Sequence, residues 1–391
     1  MSAQLEQLDV EPFRIDVPDA VLDDLRDRLA RTRWPDQIPG SGWDYGTDEQ
    51  YLQELCEYWR TSFDWRTVEQ TLNQWPQWTT TVLGQRLHFI HARSEVADAL
   101  PLVITHGWPG SIYEFVKIIG PLTDPAAHGG DPADAFHVVC PSIPGYGWSG
   151  PTTEPGWDIG RVAQANAALM AGLGYQRYGA QGGDWGAAAT VALGSIDPDH
   201  LAGIHMNMVI ARPPEGEDPA AGLSESELAN IAAMQHFRSE ETGYQSIQGT
   251  KPQTLAYGLT DSPAGLAGWI VEKFRTWSDC GGDVESRFTK DELLANITIY
   301  WVTQTIGSSV RLYCESRRAG KAGRAAGGGH IDVPTGCAVF PGELARPPRA
   351  WVEKAYNLVR WTEMPRGGHF AALEEPELLV DDIREFFRPL R

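Results

Sequence analysis

The chain has 391 residues, enough for a sizeable core and about two or three domains by length alone. Its 32 Lys+Arg stand against 52 Asp+Glu, a net charge of −20, which argues against nucleic acid or an anionic membrane as a partner and favours a neutral substrate. Five cysteines, Cys56, Cys140, Cys280, Cys314 and Cys337, form no close-spaced motif and read as reduced core residues of a cytoplasmic protein.

Residues 1–10 are polar and acidic, without an apolar signal core. No later stretch approaches the roughly 20 apolar residues that a spanning helix needs. Val17-Pro18-Asp19 opens a helix whose Leu22, Leu25 and Leu29 share one face. A second helix is expected over 48–61, with Tyr51, Leu52, Leu55 and Tyr58 as its stripe. Six of fifteen tryptophans (Trp34, Trp43, Trp59, Trp65, Trp75, Trp78) precede residue 80, and they read as docking this segment onto the core rather than walling a substrate tunnel. The sheet is expected to begin near 79–92, with strands at 102–105, 136–140, 178–181 and 202–208 and helices between them, the alternation of a parallel sheet. Arg212-Pro213-Pro214-Glu215 breaks that alternation, and a mostly helical insertion runs to about residue 332. Within it, 319–329 reads as a mobile Gly/Ala-rich loop whose Lys321 and Arg324 face solvent. Strands at 335–340 and 358–364 follow, and Glu374-Glu375-Pro376 starts a last amphipathic helix. The expected division is an N-terminal domain over 1–84, a core over 85–212 and 333–391, and a helical lid over 213–332.

Gly182-Gly183-Asp184-Trp185-Gly186 lies between the strand at 178–181 and an apolar helix. Small-x-nucleophile-x-small at that junction is the nucleophile elbow of α/β-hydrolases, here with Asp184 in place of the usual serine. A carboxylate attacks alkyl carbon and leaves an alkyl ester on the enzyme, so the chemistry shifts from acyl transfer to opening C–O or C–halogen bonds. His106-Gly107-Trp108-Pro109-Gly110-Ser111 follows the strand at 102–105, where this fold takes one oxyanion-hole N–H. The other comes from the residue after the nucleophile, so the donors are the backbones of Trp108 and Trp185. His369, in Arg366-Gly367-Gly368-His369-Phe370, is the expected general base, and Glu343, in the loop leaving the 335–340 strand, the acid that orients it. Glu363 and Glu374 are the nearest other carboxylates. His88, His91, His137, His200 and His205 lie in or beside apolar runs and read as core residues. Gly147-Trp148-Ser149-Gly150-Pro151 nearly matches a serine elbow, but a proline stands where a glycine is needed, and it reads as a loop. No metal-ligand spacing and no phosphate-binding glycine loop is present, so neither metal nor cofactor is expected.

These motifs, with Pro144-Gly145-Tyr146-Gly147-Trp148-Ser149, the lid stretch Gly243-Tyr244-Gln245-Ser246-Ile247-Gln248-Gly249-Thr250-Lys251-Pro252, and the block from Pro365 to Phe387, resemble epoxide hydrolases of the microsomal type. That family has an α/β-hydrolase fold, a mostly parallel sheet flanked by helices, with a helical lid and an N-terminal extension. The lack of a spanning segment makes this chain similar to a soluble, bacterial-like member. The resemblance places two lid tyrosines on Tyr244 and Tyr313 as hydrogen-bond donors to the epoxide oxygen, and the charge-relay acid on Glu343. It implies a vicinal diol as product, with an epoxide and water as partners, no cofactor, and a homodimer as a compatible assembly. An aromatic or bulky epoxide, such as a natural-product intermediate, suits the Trp- and Tyr-rich segments. The rival readings are a haloalkane dehalogenase, which shares the aspartate nucleophile, and a binding protein that kept the fold without the activity.

Overall fold

The computed structural model describes residues 8–213, 216, 218, 220–320 and 329–391. Among the described residues nine strands make one sheet: β1 (Glu11–Phe13), β2 (Gln77–Val82), β3 (Gln85–Ala92), β4 (Leu100–Thr105), β5 (Phe136–Pro141), β6 (Tyr178–Gly182), β7 (Leu201–Met206), β8 (Ile331–Val339) and β9 (Tyr356–Glu363). Their spatial order is β1-β2-β3-β5-β4-β6-β7-β8-β9. Pairing is antiparallel from β1 to β5 and parallel from β5 to β9. Strands β5, β6 and β7 are buried along their whole length, because helices cover both faces of a parallel sheet. This is why their sequences are continuous apolar runs rather than alternating ones.

The sheet begins earlier than the sequence suggests. The stretch read as its first strand is a hairpin of β2 and β3, turned at Leu83 and Gly84 with φ of 52° and 77°. The three residues of β1 precede it and pair with β2, so the N-terminal segment shares the sheet of the core. Its first helix, Asp19–Ala30, buries Leu22, Leu25 and Leu29. The second, Glu49–Thr61, is capped by the Asp48 carboxylate, which accepts the Tyr51 N–H at 2.9 Å. Of the expected stripe Leu55 is fully buried and Tyr51, Leu52 and Tyr58 pack partly covered against the core, with Cys56 and Trp59 also buried. Trp59 and Trp65 are buried, and Trp34, Trp43, Trp75 and Trp78 pack against the core partly covered.

Between β7 and β8 lie the lid helices Glu225–Glu240, Gly243–Gln248, Pro252–Asp261, Pro263–Trp277, Lys290–Thr303 and Ile306–Arg318. The N-terminal segment holds them down. Arg28 pairs with Asp261 at 2.8 Å, Thr47 Oγ1 donates to the Gly268 carbonyl at 2.7 Å, and the Arg275 guanidinium lies 4.5 Å over the Trp43 ring. Most of the loop expected at 319–329, with Lys321 and Arg324, lies outside the described residues, as does part of the break after Arg212. No described helix is long and apolar enough to cross a membrane. All five cysteines are buried and free. Of the five histidines expected in the core, His88, His137 and His205 are buried and His91 is partly so. His200 is a correction: it is exposed on the one-turn helix Pro198–His200, tethered to Asp197 at 2.5 Å.

Candidate active site

Strand β6 ends at Gly182 and a helix starts at Asp184, so the chain must reverse within two residues. Asp184 takes φ of 49° to do so, a left-handed backbone that costs a non-glycine residue about 1–2 kcal/mol. The flanking glycines are sterically required. A Cβ on Gly182 would lie 2.3 Å from the Gly186 carbonyl, and one on Gly186 would lie 1.8 Å from the Thr105 oxygen of β4. The turn therefore forces the Asp184 side chain away from the sheet, over the loop that leaves β4. There the Trp108 N–H donates to Asp184 Oδ1 at 2.8 Å. Trp185, the other expected donor, stands second in the helix that Asp184 opens, and its ring meets that of Tyr313 edge-on at 4.8 Å.

His369 comes to the same point from the loop after β9. Its backbone N–H donates to the Trp277 carbonyl at 2.9 Å, and the Trp277 ring packs edge-on at 5.1 Å. Nε2 lies 3.5 Å from Asp184 Oδ2, and Nδ1–H donates to Glu343 Oε1 at 2.8 Å. Burial alone would favour the neutral ring, but the Glu343 and Asp184 carboxylates overcome it and hold His369 well above the usual imidazole range. Neither rival carboxylate reaches this histidine by hydrogen bond. Glu363 is exposed, while Glu374 accepts the Phe370 and Asp279 N–H groups at 2.9 Å each.

Tyr244 and Tyr313 cover Asp184 from the lid. Tyr244 stacks on the Trp108 ring at 5.4 Å, and Tyr313 meets Tyr244 edge-on at 5.9 Å. Burial first, and the nearby Asp184 charge after it, push the Tyr244 phenol up. Tyr313 is pushed up by burial, then by Tyr244 and Asp184. Both therefore stay protonated and able to donate. A cavity of about 440 Å³ opens beside these groups, lined by Asp184, Trp185, Tyr244, Tyr313, Met234 and Phe237 among others. None of the six early tryptophans lines it, in keeping with their docking role.

The N-terminal part, residues 10–115, matches the family model described as "Epoxide hydrolase N terminus", and residues 101–245 match "alpha/beta hydrolase fold". The chain is 38% identical to "Epoxide hydrolase 1" of Sus scrofa over 98% of its own length and 90% of the relative's. This chain belongs to the epoxide hydrolases. Two solved structures agree. The juvenile hormone epoxide hydrolase of the silkworm Bombyx mori superposes with a TM-score of 0.90 at 32% identity, covering 98% of this chain and 95% of that one. The Aspergillus niger epoxide hydrolase superposes with a TM-score of 0.87 at 31% identity, covering 98% and 97%. The protein is thus an α/β-hydrolase-fold enzyme acting on ether bonds, which turns epoxides into diols with water as co-substrate.

The epoxide hydrolase site also contains residues whose roles sequence pattern alone left unread. Tyr300 donates to the Gly110 carbonyl at 2.6 Å and Asn296 Nδ2 to that of Pro109 at 2.7 Å, so the lid helix Lys290–Thr303 braces the loop that leaves β4. His106, beside that loop, is a buried spacer: Nδ1–H donates to the Gly107 carbonyl at 2.9 Å, Nε2 accepts the Ile143 N–H at 3.1 Å, and burial lowers it to about 4. Glu114 reaches back under Gly110, and burial pushes its carboxyl up to about 8. His106 opens the loop motif without having its own role named by it, and Glu114, Asn296 and Tyr300 lie outside that motif, so their contacts emerge only in three dimensions. The serine of the near-miss elbow is confirmed as a loop residue on the one-turn helix Gly147–Ser149, its hydroxyl given to the Ser142 carbonyl at 2.6 Å.

Proposed function

We propose that this enzyme opens its substrate through a covalent ester on Asp184, and the observation that carries the reading is the placement of the two Asp184 oxygens. Oδ1 is held by the Trp108 N–H, while Oδ2 faces His369. Oδ2 is therefore the attacking atom. It displaces the ring oxygen from carbon, while Tyr244 and Tyr313 donate hydrogen bonds to that oxygen and one of them gives it a proton. General acid assistance of this kind contributes about 10²–10⁴-fold. A halide would leave without such a proton, so two buried, protonated tyrosines support the epoxide over the haloalkane.

Alkylation changes the base. Once Asp184 is an ester it carries no charge, and one of the two influences that hold His369 protonated disappears. The imidazolium can then release its proton to solvent, and the neutral ring takes a proton from the attacking water, with Glu343 stabilising the imidazolium that results; the released proton is regained when Asp184 is again a carboxylate. Water oxygen bonds to Asp184 Cγ, and the charge that develops on Oδ1 rests on the Trp108 and Trp185 N–H groups, each such donor being worth about 3–4 kcal/mol. The Cγ–Oδ2 bond breaks, His369 protonates the departing oxygen, and the proton left on Asp184 returns to the tyrosine. One diol oxygen thus comes from Asp184.

The cavity volume and its aromatic walls support an aromatic or bulky epoxide. Five free, buried cysteines support a reducing, cytoplasmic setting, and the charge of −20 supports the exclusion of nucleic acid. The decisive experiment is a single turnover in ¹⁸O-water with enzyme in excess. The first diol should be unlabelled and the label should appear in Asp184, whereas label in that first diol would mean direct attack by water and end the covalent route.

A further inference from the structure

The walls of the cavity carry three charged residues: Asp184 at its base, and Arg238 and Arg317 at its exposed edge. Among the described residues no other carboxylate lines it, although acids outnumber bases 52 to 32 in the chain. The sign of the mouth is thus opposite to that of the protein.

Both arginines are placed by the elements that form the site. Arg317 follows Tyr313 by four residues in the helix Ile306–Arg318, which puts it on the same face one turn further out, about 6 Å along the axis. Its stem runs over Gly249, where an added Cβ would lie 3.4 Å from the Arg317 Cδ. Arg238 follows Phe237 and Met234 at the end of the helix Glu225–Glu240, on the face that turns to the cavity. The adjacent Arg318 behaves differently, pairing with Glu315 at 3.3 Å. Neither Arg238 nor Arg317 has an ion-pair partner among the described residues. Unneutralised guanidinium groups at the rim of a substrate cavity are anion acceptors, since each fork matches a carboxylate and the body of a −20 protein otherwise repels one.

We propose that the preferred substrate is an epoxide carrying a carboxylate on a rigid spacer, with its ring beneath Tyr244 and Tyr313 and its carboxylate at Arg317 and Arg238. The proposal rests on the tyrosines as the ring-oxygen donors, because they set where the spacer starts. An aromatic ring is a spacer of the right length for one helical turn and fits the Trp185 and Phe237 walls.

The test compares para-carboxystyrene oxide, its methyl ester and styrene oxide in the full-length enzyme. The wild type should show the highest kcat/KM on the carboxylate. Arg317→Gln and Arg238→Gln should each lower that value about fivefold, the upper end for an exposed ion pair, through KM and with the two neutral epoxides unchanged. The preference should shrink as salt is added, since the pair is solvent-accessible. Equal kcat/KM for carboxylate and ester in the wild type, or equal losses on all three substrates in the variants, overturns the proposal. The neutral substrates keep this separate from the parent reading: Tyr313→Phe should slow all three alike. Failure there removes the tyrosine assignment, while failure confined to the arginine variants removes only the carboxylate.

Discussion

Replacing Glu343 by Gln separates the two halves of the reaction. The side chain is buried, with Oε1 accepting from His369 Nδ1 at 2.8 Å and from the Leu344 N–H at 2.6 Å, while Oε2 has no hydrogen-bond partner among the described residues. Gln can keep both bonds through its one carbonyl oxygen and place its amide where Oε2 lay, so the histidine stays in position and only the charge is lost. A hydrogen bond to a charged group is worth about 1.5–3 kcal/mol and a neutral one about 1 kcal/mol. The imidazolium formed in hydrolysis should therefore lose about 0.5–2 kcal/mol, which is roughly a 2- to 30-fold slowing of that step. Alkylation, which needs Asp184 and the tyrosines, should change little. The pH profile carries an independent sign. Glu343 is one of the groups that raise His369 above its ordinary value, and hydrolysis needs the neutral ring, so its rate rises with pH through the His369 pKa in the ester. Removing the Glu343 charge lowers that pKa, and the rising limb should shift to lower pH even as the plateau falls. Stopped-flow tryptophan fluorescence, with Trp108, Trp185 and Trp277 beside the site, follows both steps. Hydrolysis at the wild-type rate with an unmoved limb would refute the assignment of Glu343 as the orienting acid.

His369→Gln should open the epoxide once and stall, and intact-protein mass spectrometry should show Asp184 heavier by the substrate mass; normal turnover without an adduct would remove the base from the scheme. Tyr244→Phe and Tyr313→Phe should each slow alkylation by about tenfold or more, as two donors share the ~10²–10⁴-fold of general acid assistance, and the double variant should be nearly inactive. Alkylation at wild-type rates in both single variants sends the search to other donors. Gly186→Ala pushes a methyl to 1.8 Å from the Thr105 oxygen, against a strand inside the sheet, and should cost about 3 kcal/mol or more in urea unfolding. Gly243→Ala, with nothing within 4 Å, serves as its control, and equal stability of the two variants would contradict the steric account of the elbow.

The sequence by itself marked the residues of the candidate site. Asp184 between glycines, His106–Ser111 after a strand, and His369 in a late glycine-rich loop are local patterns, because a sharp turn and a backbone oxyanion donor impose residue types within five or six positions. The parallel strands were equally legible, since strands covered on both faces must be apolar throughout. Glu343 required one further step, a strand followed by a loop carboxylate. Tyr244 and Tyr313 are different: they stand 60 and 129 residues beyond Asp184 on separate lid helices, and nothing in their own spacing marks them among the twelve tyrosines. Family resemblance named them, and only the tertiary fold shows them meeting over Trp108. The exposure of His200, the entry of β1 into the main sheet, the bracing of the loop that leaves β4 by Asn296 and Tyr300, and the two arginines at the cavity mouth were likewise decided in three dimensions. Each depends on which distant surface covers a residue, and that is fixed by packing across the lid, core and N-terminal segment rather than by any periodicity along the chain.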